Sequence, residues 1–240
     1  MARLACSVAA LLVVAAGAWA QTPPDISGVW RPAMGGRGRG GPAAPPLTLK
    51  SPYKEKYEAL RARQREATAR GEQFSARSSL CEPYGMPAMM QVAVYPMEII
   101  QTPKQVTIIT EAFSEVRRIY IGKSQPSLED VDPGYYGHSV GHWEGDTLVV
   151  DTIGVKESVR GYQEMPHSNR MRISERIRRT APGALEDQIT IEDPLVLEKP
   201  VTYKLSYMFV PDYEMVEFVC ENNREYVDEN GIVHMKLRDK

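Results

Sequence analysis

The sequence predicts an all-β fold, an antiparallel lipocalin-like β-barrel preceded by one helical arm. Three observations predict it. From about residue 92 the apolar period is two, short turn signals separate the apolar segments, and no long helical pattern interrupts them. A β-sandwich is the alternative, because a run of hairpins either closes on itself or splits into two packed sheets.

The first twenty residues are set apart from that fold. MARLACSVAALLVVAAGAWA has an early arginine, an apolar run and a small-x-small end at Ala18-Trp19-Ala20, the pattern of a secretory signal peptide. The expected mature protein starts near Gln21 and is periplasmic or secreted. Residues 21–50 read as a Pro/Gly-rich linker with one short strand at Ile26–Trp30, and the RGRGG run within it has too little apolar surface to pack.

A helical arm is predicted over 51–71. Ser51 suits an N-cap, Pro52 the first helical position, and Tyr53, Tyr57 and Leu60 make a narrow apolar stripe before Gly71. The polar second half predicts that only the first turns pack. The barrel is placed at 80–226, with strands at Met97–Thr102, Gln105–Phe113, Glu115–Ile121, His138–Glu144, Thr147–Val155, Asn169–Thr180, Leu185–Glu192, Val201–Phe209 and Glu214–Glu221. A polar tail, 227–240, holds His234.

Composition narrows the partners. The formal charge is −2, and loss of Arg3 with the signal peptide makes it −3, which offers no electrostatic reason to expect nucleic acid. No segment after the leader is apolar enough to span a bilayer as a helix. Of three cysteines, Cys6 lies in the leader, so Cys81 and Cys220 remain and are expected to form one disulfide in an oxidising compartment.

GHSVGHWEGDTLVVDT, PHS with ISERIRR, ITIEDP and EFVCENN, together with LCEPYGMPAMM and EVRRIY, resemble a family of exported bacterial proteins of unassigned function. The resemblance covers roughly residues 80–223 and implies a shared fold and a shared site. Its pattern keeps a histidine at the positions of His138 and His167 and varies at His142. It brings no activity with it.

The residues themselves suggest where a site lies. On a strand, His138, Val140, His142 and Glu144 share a face, and Ser139, Gly141 and Trp143 the other. A two-residue Glu144-Gly145 loop sets His138 opposite Asp151, a carboxylate that orients the ring, whereas a three-residue loop sets it opposite Thr152. Glu175 interrupts the apolar stripe of Met171, Ile173 and Ile177, with His167 at the same parity, and Asp187 interrupts that of Leu185, Ile189 and Ile191. Acids on an inward face must be paired, hydrogen-bonded or protonated, which makes them candidates for function. Arg118, read as inward between Val116 and Tyr120, is the expected partner of Glu175.

The expected function is therefore binding of a small organic molecule in a His/Glu/Arg pocket. His138, His167, Glu175 and Asp151 form its reactive cluster, and Arg118, Tyr120, His142 and Asp187 are its ligand contacts. Cofactor-free lyase, isomerase or hydrolase chemistry with His138 as general acid or base is an alternative on the same pocket. An envelope interaction protein using residues 31–70 is another. A copper or zinc site from His138, His142 and His167, with Met86, Met89, Met90 and Met97 near, is a further alternative. Against it, residues i and i+4 of a strand lie about 13 Å apart, too far for one metal.

Overall fold

The computed structural model describes residues 22–33, 45–74, 81–91, 95–159, 161–218, 220 and 225–235. The segment expected to be a signal peptide and the RGRGG run lie outside the described residues.

Nine strands close into a barrel: β1 (Gly28–Pro32), β2 (Met97–Gln101), β3 (Gln105–Thr110), β4 (Glu115–Ile121), β5 (His138–Glu144), β6 (Thr147–Ile153), β7 (Arg172–Ala181), β8 (Ala184–Glu192) and β9 (Val201–Phe209). Closure runs through β1, which pairs with β2 on one side and β9 on the other. The short strand expected ahead of the helix is thus the ninth stave. The one expected at Glu214–Glu221 is not a strand over its described residues.

Neighbours are antiparallel except β4 and β5, which pair in parallel, Tyr120 against Val140. A parallel neighbour needs a crossover of a dozen or more residues, and 122–137 supplies it. Hairpin β5–β6 turns on Gly145-Asp146, with Glu144 opposite Thr147 and Gly145 at φ 61°. Both expected loops are corrected by this register: His138 faces Ile153, and Asp151 faces Val140. The glycine supplies the positive φ that a tight hairpin demands, and with Glu144 paired and Asp146 in the loop the ladder slides.

Strict alternation sets the core. Ile173, Glu175 and Ile177 on β7, and Leu185, Asp187, Ile189 and Ile191 on β8, point inward and are buried. One end of the barrel is covered by residues 85–91, 155–159 and 161–171. Met86, Met89, Met90, Val159, Tyr162, Met165 and Met171 join the core there, so the methionine cluster packs as apolar filler.

The helix α1 (Tyr53–Ala69) lies against this cover, Tyr57 donating its hydroxyl to the Gln163 carbonyl at 3.1 Å. Two details differ from expectation. Ser51 makes no side-chain cap and instead donates to Glu55 at 2.6 Å. The second half of the helix also packs, with Ala67 buried and Gln64 bonded to Glu164. The end of the expected barrel domain and the start of the expected polar tail form a hairpin, β10 (Glu225–Val227) and β11 (Val233–Met235), where His234 stacks on Tyr226. Cys81 and Cys220 are joined across a separation of 139 residues. Closing a loop of that length stabilises by about 5 kcal/mol in the chain-entropy account.

Candidate functional site

The inner wall carries a buried polar cluster contributed by strands β4 to β9. Arg117, Glu175 and Asp187 are sealed from solvent at 1%, 0% and 0% exposure. Arg117 forks onto Glu175, Nη1 donating to Oε1 at 2.8 Å and Nη2 to the other carboxylate oxygen. Its remaining donors reach Ser139 Oγ at 3.2 Å and Thr152 Oγ1 at 3.0 Å, and those two hydroxyls meet at 2.8 Å. Each guanidinium nitrogen thus has an acceptor, as a buried ion requires.

Asp187 has no such partner: neither carboxylate oxygen accepts a hydrogen bond among the described residues, and its one side-chain link is to the neighbouring Glu175 carboxylate, to which it can donate only when protonated. Burial, reinforced by the Glu175 charge and opposed by Arg117, pushes its acid well above the usual carboxylate range, favouring the protonated form. It sits on the next inward pair from Glu175, two steps along the ladder, since Glu175 faces Ile189 and Asp187 faces Ile177. On the other side it faces Leu205, which points inward yet stays only partly buried. Tyr203 and Tyr207 flank Leu205. Burial first, then the charges of Asp187 and Glu175, hold both phenols well above their ordinary range. Tyr207 donates to the Met90 carbonyl at 2.7 Å, and Gln91 to the Tyr203 hydroxyl.

The histidines lie elsewhere. Ser139 and Gly141 face the interior, and a side chain at Gly141 would meet Ile119 at 2.9 Å, so His138 and His142 are on the outer wall. His138 stacks on Tyr120 with centroids 5.4 Å apart, and its Nδ1 meets Gln125 Oε1 at 3.0 Å. Gln125 Nε2 donates to Asp151 Oδ2 at 3.1 Å, and Asp151 is forked by Arg172. His138 and Asp151 are therefore linked through Gln125, not opposed across the ladder. His142 is exposed, with Nε2 3.2 Å from Glu144.

His167 is buried beneath the covered end. Its Nδ1 meets the Ser168 carbonyl at 2.9 Å, its Nε2 has no partner, and it makes no hydrogen bond to His138, Glu175 or Asp151 among the described residues. The expected reactive cluster of His138, His167, Glu175 and Asp151 is thus divided among three places.

Arg118 is corrected as well. It is exposed, and Arg117 takes the inward position, because β4 buries Glu115, Arg117 and Ile119. Tyr120 accordingly faces out, while Asp187 is inward as expected. The histidine set for a metal is not gathered, and among the described residues no three His, Cys, Asp or Glu side chains converge as a metal-binding group. Arg117, Ser139, Thr152, Tyr203, Tyr207 and Gln125 were not among the expected site residues. The tyrosines had a signal, since VTYKLSY places both at the parity of Val201 and Leu205.

No family model and no curated protein matches this chain.

Proposed function

We propose that the protein binds a small, largely apolar organic molecule that passes Leu205 and sets one polar group on the Asp187 carboxyl. A single observation carries the reading: a carboxyl sealed from solvent receives no hydrogen bond from any donor among the described residues, its one side-chain link being to the Glu175 carboxylate. Buried polar atoms are nearly always hydrogen-bonded, so unused capacity at the centre of a barrel suits a ligand group. Ile177, Ile189 and Leu205 supply apolar surroundings, and the acid offers one donor and one acceptor to an alcohol, amide or amine. The disulfide supports a periplasmic or secreted setting.

Acid–base chemistry is the second reading, favoured by the pairing itself. Glu175, held by a guanidinium, and Asp187, pushed toward its protonated form, place a base beside an acid. Lyase, isomerase or hydrolase turnover on that pair needs no histidine.

Titration with 1-aminoanthracene, an apolar fluorophore bearing one amine, tests the binding reading. Saturable one-site enhancement is expected, weakened at least about tenfold by Asp187→Asn and by Leu205→Trp. Absence of saturation, or affinity unchanged in both variants, overturns it. Hydrolysis of p-nitrophenyl acetate that falls about a hundredfold in Asp187→Asn favours the second reading.

A further inference from the structure

A cleft of about 280 Å³ lies on the outer wall, away from the buried cluster, where the chain leaves β4 and crosses in front of β5 and β6. Its floor is a two-by-two patch of cross-strand pairs, Val140 with Asp151 and His142 with Val149. Gly122, Lys123 and Ser124 form the overhanging rim.

The charges around it are unequal. Asp151 is neutralised by Arg172 and bonded to Gln125, and Glu144 is shared by Arg176 and His142. Lys123 is exposed and has no carboxylate within salt-bridge distance among the described residues. Its ammonium rests 4.9 Å from the Tyr120 ring centroid, a contact that holds the charge over the rim without cancelling it. Two valines on the floor, with the floor's one carboxylate already paired to Arg172, beneath an uncompensated cation are complementary to an amphipathic monoanion.

We propose that this cleft is a second ligand site, taking a small organic acid whose carboxylate meets Lys123 and whose body covers Val140 and Val149. The site is independent of the interior reading: it shares no side chain with the Arg117–Glu175–Asp187 cluster and opens on the opposite face of the same strands.

Benzoate is a suitable probe, with benzyl alcohol as its uncharged counterpart, and valine methyl resonances report the location. Benzoate is expected to shift the Val140 and Val149 methyls saturably while leaving the inward Ile189 unmoved. Lys123→Glu should weaken that binding at least about tenfold, and Lys123→Arg by less than about threefold. Because Lys123 is exposed, both variants should keep the fold. Shifts that never saturate, an equal response to benzyl alcohol, or full affinity in Lys123→Glu overturn the proposal.

Discussion

Two arginine–carboxylate pairs meet on β7 of this barrel, Glu175 facing in to Arg117 of β4 and Arg172 facing out to Asp151 of β6, and the two β7 residues differ in strand parity. Arg117 and Glu175 are 1% and 0% exposed, whereas Arg172 and Asp151 are 55% and 20% exposed. Both are forked, so hydrogen-bond count does not separate them. Solvent does. Inside, each charge depends on its partner for everything water would provide, while outside water supplies most of it.

The widest gap between the pairs should appear when one partner is removed. Arg117→Met leaves the buried Glu175 beside Asp187 with no cation, and also strips Ser139 and Thr152 of their donor. Loss of about 3–5 kcal/mol is expected in equilibrium urea unfolding. A variant within 1 kcal/mol of wild type would mean that water reaches the cluster and that the interior is not the closed site described here.

Acid titration separates the two walls next. Asp187 has its folded-state pKa raised above the unfolded value, so its contribution is fully present below the unfolded pKa, near 3.8, and is lost as pH rises through the raised value. Wild-type stability should therefore fall relative to Asp187→Asn as pH climbs from about 4, by about 1.4 kcal/mol for each pH unit of that window. Unfolding midpoints of both proteins across a pH series test this. Parallel curves would mean that Asp187 is solvated in the folded state.

How much of this was legible follows the same division. On β7 and β8 the apolar residues alternate without a break, so one acid in each stripe stood out, and Glu175 and Asp187 both prove inward. On β4 the run EVRRIYI offers apolar residues at both parities and two adjacent arginines. Periodicity alone could not choose there, and packing placed Arg117 inside. On β5 the small residues Ser139 and Gly141 resembled an outer face. They are inside because Ser139 serves the guanidinium and Gly141 leaves room for Ile119. The hairpin error was milder. Sliding the loop to Gly145-Asp146 moves the register by two residues, which keeps His138 and Asp151 on one face while ending their direct opposition. The bridging Gln125 lies in the crossover, and no strand pattern reaches into a loop.

The smallest effect should come from the outer pair itself. Arg172→Ala removes both donors to Asp151, yet Asp151 keeps the Gln125 bond at 3.1 Å and partial access to water. Surface pairs contribute between zero and about 1 kcal/mol, so unfolding free energy should change by no more than that, and the difference should shrink as salt rises. Should Arg172→Ala instead destabilise by as much as Arg117→Met, exposure would not be what distinguishes the two walls. The relay His138–Gln125–Asp151–Arg172 would then be a structural unit holding the crossover to the barrel. Methyl shifts of Val140 and Val149 in the same variant discriminate these cases, because a released crossover would open the cleft that it roofs.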